Sequence, residues 1–345
     1  LRALFNMINQ SKTSDTHFCF ESSNTSCPKY IYSTAVLRAP LYVLLGAVIF
    51  LIVLGNLLVI IIITYFKQLH TPTNYLVLSL AVADFLLGAV IMPPSMVRSL
   101  ETCWYLGNMF CKIHTSADIM LSTLSVLNLT LISIDRYIAV CQPLHYHTKI
   151  TNGVTMTMIL SCWSVSAFIG FGMIFLKLNS LGTEDTYNSN LHCEGSCILV
   201  QNRMSIVIFS LLVFFIPAFI IIVLYMKILL VARRQAFSIQ SRVCANMSLE
   251  KRATLNKTQP KATKTLGIVV GVYFICWGPW FLCTLIDPII PFFSPLLTEI
   301  LTWFAYCNSV TNPVIYAFSF TWFQKPFKSA FQKILDSCRM RLYSE

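Results

Sequence analysis

Long apolar runs separated by short polar segments dominate the chain. A helix needs about 20 apolar residues to cross a bilayer, and seven runs approach or exceed that length: Leu41–Tyr65, Tyr75–Val97, Ile113–Ile134, Gly153–Leu176, Met204–Met226, Leu266–Ile286 and Ile300–Phe323. Runs of this length favour helices over barrel strands, because a helix satisfies its own backbone hydrogen bonds in lipid. The pattern predicts an all-α membrane protein, with a seven-helix bundle over residues 39–323 and a short amphipathic helix and tail over 324–345.

Two of these runs are interrupted by an acid, Asp84 in the second and Asp118 in the third. A charge at membrane depth costs about 2.5–3.5 kcal/mol on insertion scales, so such a residue is expected to have a partner or a function. Asp135-Arg136-Tyr137 begins 17 residues after Asp118, which is roughly 25 Å along one helix. This layout predicts a cation held near one face of the membrane and a signal delivered at the other.

Composition and charge support a membrane protein and orient it. Only 11% of the residues are charged and 56% are hydrophobic, whereas a soluble domain carries about 25% charged residues. Lys and Arg number 17 in one set of alternate connecting segments and 8 in the other. The positive-inside rule then places residues 1–38 outside the cell as an N-terminal tail and the C-terminus in the cytoplasm. The net charge of +11 follows from this bias and predicts contact with anionic lipid and an acidic protein partner rather than nucleic acid.

Cysteines and glycosylation motifs are consistent with this orientation. An even number of cysteines on the oxidising side predicts three disulfides, with 15 possible connectivities, and six of the 13 fall in predicted outer segments: Cys19, Cys27, Cys103, Cys111, Cys193 and Cys197. Asn9 and Asn24 begin glycosylation motifs in the outer tail. Cys338 follows an amphipathic stretch on the inner side and is a candidate for palmitoylation.

The apolar segments carry no pattern typical of catalysis. A lone carboxylate without a nucleophile or acid–base partner predicts a protein that is not an enzyme, and no metal-ligand spacing or cofactor motif is present. A seven-helix ion pump is also disfavoured, because it would need several acids along a path and usually a lysine for retinal. The seventh run contains no lysine.

Polar residues inside four of the runs predict a second site below Asp118. They can share one network near the middle of the membrane, and they are Asn56, Asp84, Ser125, Asn308 and Asn312. Such a cluster can bind an allosteric sodium ion through oxygen ligands, with Asp84 supplying the charge. A purely structural hydrogen-bond network explains the same residues equally well.

The sixth run combines a proline with aromatic residues. Pro279 removes a backbone hydrogen bond and predicts a hinge. Large aromatic residues surround it and recur in the seventh run, which together predict an aromatic box around a cation: Trp277, Trp280, Phe281, Trp303 and Tyr306. His114, one turn before Asp118, either lines the same pocket or lies at the membrane interface.

These residues, in this order, resemble a rhodopsin-class (class A) G-protein-coupled receptor over all seven runs. The resemblance is carried by Gly55-Asn56, Leu80–Asp84, Cys111, Asp135-Arg136-Tyr137, Trp163, Pro217 with Tyr225, Cys276–Pro279 and Asn312–Tyr316. The segment Asn308–Phe323 fits the fingerprint of trace amine-associated receptors, as do Phe66–Asn74, Cys103–Tyr105 and Lys264–Gly267. His114–Ser122 and Phe171–Phe175 lean towards the type 1 members of that family.

The resemblance implies an amine receptor. It implies that Asp118 pairs with the ammonium group, that Tyr306 closes over this pair, and that Ser122, Phe209 and Ser210 lie near the ligand. Phe209, Ser210 and Val213 stand where catecholamine receptors carry several serines, which favours a less hydroxylated aryl or alkyl amine. Because the fifth run has no second acid, a diamine held at both ends is disfavoured. A receptor for serotonin or histamine remains the alternative.

The resemblance also implies partners, disulfides and activation residues. It implies a plasma-membrane receptor that couples to the stimulatory G protein Gs or its olfactory relative, raises cAMP and has a role in olfaction. The implied pairs are Cys111–Cys197, Cys19–Cys193 and Cys27–Cys103. The residues implied in activation or G-protein coupling are Asp135, Arg136, Tyr137, Tyr225, Pro279, Asn312, Pro313 and Tyr316.

Overall fold

The structure is a computed structural model that describes residues 18–20, 26–27, 35–180, 193–197, 202–244, 260–286 and 295–319. The predicted amphipathic helix at 324–345, the glycosylation motifs at Asn9 and Asn24, and Cys338 lie outside the described residues.

Seven long helical segments follow one another along the described chain. They are α1 Ala35–Tyr65, α2 Pro72–Glu101, α3 Gly107–Cys141, α4 Asn152–Phe175, α5 Arg203–Ser210 continued by Leu211–Phe215 and Ile216–Cys244, α6 Pro260–Ile286, and α7 Pro295–Tyr306 continued by Asn308–Ser319. Six of them, α1 to α6, contain a stretch long and apolar enough to cross a membrane. The described part of α7 is interrupted at Cys307. It therefore consists of two consecutive 12-residue helices, one on each side of this residue.

The helices extend beyond the apolar runs that predicted them. The third run, Ile113–Ile134, lies within the 35-residue α3, which continues through Asp135 and Arg136. Polar residues in the terminal turns of a helix end the apolar run but not the helix. A helix boundary predicted from hydropathy therefore lies inside the true boundary. Side-chain caps set several starts instead: Thr71 Oγ1 accepts a hydrogen bond from the Asn74 N–H before α2, and Asn202 Oδ1 accepts from the Ser205 N–H before α5.

Prolines reshape α2 and α5 near the same end of the bundle. Leu87–Ile91 form a wide, π-helical turn just before Pro93, and Leu211–Phe215 form another just before Pro217. Proline lacks an N–H, and its ring crowds the carbonyl four residues earlier, so a widened turn relieves the clash. One extra residue in a turn rotates the following side chains by about 100° around the helix axis. The two wide turns therefore set which residues of α2 and α5 face the interior.

The packing of α3 places it at the centre of the bundle. Its contacts reach α2, α4 and α5, and the α4 contact is close because Gly170 lies against the backbone of Ser116 and against Met120. Only a residue without a side chain allows the two helices to approach this far. Trp163 of α4 donates a hydrogen bond from Nε1 to Ser79 Oγ of α2 at 3.1 Å, which fixes a third helix to the pair.

Three disulfides close one end of the bundle, which we call the disulfide end. Cys111 of α3 is joined to Cys197 as predicted. The other two predicted pairs are wrong, because the structure joins Cys19 to Cys103 and Cys27 to Cys193.

Backbone contacts explain this pairing. The Cys27 N–H donates to the carbonyl of Glu194 at 2.9 Å, which brings Cys27 beside Cys193. The Trp104 N–H donates to the carbonyl of Gly195 at 2.8 Å, and Gly195 packs directly against Cys19 with a left-handed φ of +97°. Cys19 is thereby held next to Cys103. The sequence alone does not decide which of Cys19 and Cys27 pairs with Cys103 and which with Cys193. The backbone hydrogen bonds to Glu194 and Gly195 decide it.

Candidate functional site

Asp118 lies on α3 near the disulfide end and is held by two hydroxyls. Tyr306 of α7 donates to Asp118 Oδ2 at 2.7 Å, and Ser122, one turn along α3, donates to Oδ1 at 3.4 Å. The aspartate keeps some exposed surface, whereas Tyr306 is buried. Both carboxylate oxygens are thus oriented by the protein, and no Lys or Arg forms an ion pair with Asp118 among the described residues. This leaves a carboxylate prepared for an external cation.

His114 is buried one turn before Asp118. Its Nε2 lies 3.0 Å from the carbonyl oxygen of Ile91, so Nε2 is the donor of that bond, and it also lies 3.3 Å from Ser95 Oγ. The ring packs against Trp104, with ring centroids 5.1 Å apart. These contacts join α3 to α2 beside Asp118. The structure therefore buries His114 between α3 and α2, one turn from Asp118, and does not expose it on the outer surface of the bundle.

The predicted aromatic residues form two separate groups, one on α7 and one that joins α6 to α5. On α7, Trp303 and Tyr306 meet edge to face with centroids 5.7 Å apart, and they belong to the core cluster that contains Leu121 of α3. The second group joins α6 to α5: Phe281 contacts Phe209, Trp277 and Trp280 at centroid distances of 6.2, 6.0 and 5.0 Å. The side chains predicted as one box are thus two walls.

Exposure separates the members of the second wall. Phe281 and Ser210 are each 1% exposed, and Phe281 is stacked on Phe214 with centroids 4.6 Å apart. Phe209 and Trp280 keep accessible surface, and Trp280 is fixed by a hydrogen bond from its Nε1 to Thr302 Oγ1 at 3.1 Å. Phe209 and Trp280 present the available apolar surface, while Phe281 and Ser210 support it from behind.

A polar core lies further along α3, around the fully buried Asp84. Its Oδ1 accepts hydrogen bonds from Ser125 at 3.0 Å and Ser309 at 2.8 Å, and its Oδ2 accepts one from Asn312 Nδ2 at 2.7 Å. Asn56 of α1 joins through Ser309, whose carbonyl oxygen accepts from Asn56 Nδ2 at 3.1 Å. Helices α1, α2, α3 and α7 therefore meet at one carboxylate.

Asn308 departs from the predicted network. Its side-chain nitrogen is buried without a hydrogen-bond partner in the described part of the chain, and Ser309 makes the contact to Asp84 instead. Adjacent helical residues point about 100° apart, so only one of the two can face Asp84. The sequence did not single out Ser309, although the polar pair Asn308-Ser309 in an apolar run was the available signal.

At the other end of α3, Asp135 and Arg136 form a closed cluster. Asp135 is fully buried and accepts from Arg136 Nε, Thr73 Oγ1 and Tyr146 OH, each at 2.9 Å. Arg136 also contacts Thr73 directly. Burial raises the pKa of the Tyr146 hydroxyl above its usual value, so Tyr146 remains a donor at physiological pH. Thr73 and Tyr146 were not predicted, since nothing in their local sequence marks them.

The remaining activation residues are spread along α3, α5, α6 and α7. Tyr225 of α5 lies against Gly267 of α6, where a larger residue would collide with the tyrosine ring. Lys227 Nζ lies 5.7 Å from the centre of the Tyr137 ring, a cation–π contact between α5 and α3. Pro279 lies inside α6 and Pro313 inside α7, where it packs on Gly55 of α1. Tyr316 lies on α7, and its side chain is outside the described set.

Comparison with known proteins agrees with this architecture. The family described as 7 transmembrane receptor (rhodopsin family) matches residues 55–316. The chain therefore belongs to the rhodopsin family of seven-transmembrane receptors, and it is a receptor rather than an enzyme.

Full-length similarity narrows the family further. The chain is 48% identical to Trace amine-associated receptor 1 of Macaca mulatta and 47% identical to that of Homo sapiens, in each case over 95% of this chain and 98% of the relative. It is 44% identical to Trace amine-associated receptor 4 of Rattus norvegicus over 91% of both chains. The chain is thus a member of the trace amine-associated receptors, a multi-pass membrane protein.

Proposed function

We propose that this protein is a receptor for small protonated amines and that Asp118 is their anchor. The observation that carries the proposal is the oriented carboxylate: both oxygens accept hydrogen bonds from the protein, and no described Lys or Arg forms an ion pair with it. A membrane-buried acid of this kind calls for a cation. The relatives are trace amine-associated receptors 1 and 4.

The shape of the site supports a weakly hydroxylated aryl or alkyl amine. On α5 and α6, Phe209 and Trp280 keep accessible apolar surface for the body of the ligand, whereas Ser210 is buried. On α7, the buried Tyr306 orients the Asp118 carboxylate that receives the ammonium group, and Trp303 packs edge to face against Tyr306. A catechol would find no accessible row of hydroxyls on the described part of α5.

Signalling follows from a shift between two arrangements of the helices. An amine that binds better to one arrangement raises its population by that difference in affinity. The movable elements are the proline-containing α6 and α7, and the element to be released is the Asp135–Arg136 cluster. We assign coupling to Gs or its olfactory relative with a rise in cAMP, a plasma-membrane location and an extracellular N-terminus.

A sodium ion at Asp84 belongs to the same proposal. Sodium is a hard cation that prefers oxygen ligands, and the carboxylate with the hydroxyls of Ser125 and Ser309 is such a set. Asn56 Oδ1 is buried without a partner in the described part of the chain and adds an unused oxygen nearby. Both hydroxyls can rotate to present lone pairs, so the residues fit the ion.

The test is a cAMP reporter assay in cells expressing the full chain, with an amine panel and neutral analogues. We expect responses to 2-phenylethylamine and to alkyl amines, none to 2-phenylethanol, and loss of the amine responses in Asp118→Ala at equal surface expression. Strong responses restricted to serotonin or histamine would favour a receptor for those amines. Amine responses that survive intact in Asp118→Ala would overturn the anchor.

A further inference from the structure

An ion pair spans α2 and α7 on the same side of the bundle as Asp118. Arg98 of α2 lies 3.8 Å from Glu299 Oε1 of α7, and both side chains are partly exposed. The other carboxylate oxygen, Oε2, accepts a hydrogen bond from Ser99 Oγ at 2.6 Å, and Ser99 in turn accepts from Trp303 Nε1 at 3.1 Å. Glu299 is therefore fixed by Ser99 and Trp303, and Arg98 is its looser partner.

Helix geometry places this pair over the amine site. Glu299, Trp303 and Tyr306 are spaced by four and three residues on one helix, so they share one face of α7. Tyr306 binds Asp118, and Glu299 stands two turns away, about 10 Å along the axis. On α2, Ser95 and Arg98 are three residues apart, and Ser95 contacts His114, one turn from Asp118.

Arg98 acts electrostatically on both carboxylates. It pairs with Glu299 at 3.8 Å. It also stands one turn from Ser95, whose contact with His114 brings this part of α2 beside Asp118, so that its charge acts on that carboxylate as well. Its Nε is buried and has no hydrogen-bond partner within the described residues. Asp118, Arg98 and Glu299 together carry one net negative charge, which a single ammonium group neutralises.

We propose that the Arg98–Glu299 pair is a charge filter that restricts the amine site to ligands with one positive charge. The inference rests on the proposed function at Asp118. A monoamine completes the neutral set of four charges. A diamine brings a second ammonium group to the region that Arg98 occupies, where like charges repel and where Glu299 is already paired.

Each partner has a different effect when removed. Without Arg98, Glu299 is free to bind a second ammonium group, so two carboxylates on α3 and α7 can hold a diamine at both ends. Without Glu299, Arg98 loses its ion-pair partner, and its charge then acts on Asp118 in competition with every amine. Replacement of both residues leaves Asp118 to bind the amine without the charge filter. Opposite effects of the two single changes distinguish a charge filter from a structural contact.

The experiment compares amines of equal length and different charge. Cells expressing the full chain are titrated with 1-aminohexane and 1,6-diaminohexane and with the eight-carbon pair 1-aminooctane and 1,8-diaminooctane, and the ratio of diamine to monoamine potency is measured. In wild type we expect the monoamine to be preferred. Arg98→Gln is expected to raise the ratio by about tenfold or more, chiefly through gained diamine potency.

The other variants test the same mechanism independently. Glu299→Gln is expected to lower monoamine and diamine potency alike, and Arg98→Gln/Glu299→Gln to restore monoamine potency towards the wild-type value. Arg98→Lys keeps the charge and should keep the wild-type ratio. Arg38→Gln is the matched control, because Arg38 pairs with Glu101 at 3.2 Å between α1 and α2 near the same end, and its ratio should not change.

The outcomes separate this inference from the proposed function. If wild type responds to amines but Arg98→Gln leaves the ratio unchanged, the filter is wrong and the anchor stands. If Arg98→Gln does not reach the cell surface, Glu299→Gln still decides, since unchanged or increased monoamine potency there overturns the filter. If wild type responds to no amine, the proposed function itself fails.

Discussion

The hydroxyl of Tyr306 lies 2.7 Å from Asp118 Oδ2, so one hydrogen bond joins α7 to the acid of α3. This bond fixes one carboxylate oxygen, and Ser122 addresses the other more loosely at 3.4 Å. The site is therefore already oriented before a ligand enters, which reduces the free energy lost in ordering it on binding.

Removal of the Tyr306 hydroxyl should weaken amine binding. A hydrogen bond to a charged group contributes about 1.5–3 kcal/mol, but the bond stabilises the free carboxylate as well as the bound one. We therefore expect Tyr306→Phe to lower amine potency by about three- to tenfold, measured by concentration–response curves. Tyr273→Phe is the matched control, since the Tyr273 hydroxyl has no hydrogen-bond partner among the described residues. Equal effects of both changes would argue against the assigned role of Tyr306.

Sodium should lower agonist affinity through Asp84. Ser125, which binds Asp84, lies seven residues after Asp118 on α3, about 10 Å along the helix. Two cations at that separation repel by roughly 1–2 kcal/mol at an effective dielectric constant of about 20. Replacing NaCl by KCl at constant ionic strength should raise amine affinity about five- to thirtyfold in membranes of wild type.

The dependence on sodium should disappear in Asp84→Asn, because the amide has no charge to bind the ion. A Ser309→Ala variant removes one of the two hydroxyls that bind Asp84 and should weaken the dependence without abolishing it. Equal sodium dependence in wild type and Asp84→Asn would leave the Asp84 cluster as a purely structural network.

Disulfide mapping should find Cys19 joined to Cys103 and Cys27 joined to Cys193. Cleavage after Glu21, Glu101, Glu184 and Glu194, combined with cleavage at the aromatic residues between Cys103 and Cys111, places the six cysteines on separate peptides. Mass spectrometry of the unreduced digest then identifies each pair directly. A disulfide-linked peptide that contains Cys19 and Cys193 would contradict the pairs Cys19–Cys103 and Cys27–Cys193.

Close packing of α3 on α4 should make Gly170 sensitive to substitution. A Cβ there would collide with the backbone of Ser116 and lie 2.9 Å from the Met120 Cβ, and a backbone atom cannot yield as a side-chain end can. Gly170→Ala should destabilise the receptor by about 1–3 kcal/mol. Gly172→Ala on the same helix meets no atom within 4 Å and should have no effect. Thermal unfolding of the detergent-solubilised protein provides the comparison, and equal melting temperatures would contradict the packing.

The parts of the site that the sequence predicted are those where a polar residue stands alone in an apolar run. Asp84 and Asp118 each lie inside an apolar run that spans the membrane. The free energy needed to place a charged side chain there is high, so each was expected to have polar partners. Tyr306, Ser125 and Asn312 followed because the resemblance named them or because polar atoms in lipid seek one another, and the structure brings all three to these acids.

What the sequence could not supply depends on rotation or on long-range register. The choice of Ser309 over Asn308 is a rotation of about 100° on one helix. The pairing of Cys19 and Cys27 depends on backbone contacts to Glu194 and Gly195 from distant segments. Arg98 and Glu299 lie in different helices whose facing sides are set by the wide turn in α2, and no local pattern joins them.

The central claim is that the charge of Asp118 holds the ligand, and Asp118→Asn tests it most directly. The amide keeps the size of the side chain and an oxygen to accept from Tyr306, so the change removes the charge and only the longer hydrogen bond from Ser122. At equal surface expression, the potency of 2-phenylethylamine should fall by at least about 30-fold, as expected for the loss of one partner of a buried charge pair. A potency within about twofold of wild type would contradict the account, because loss of the charge has so small an effect only if apolar contacts hold the amine.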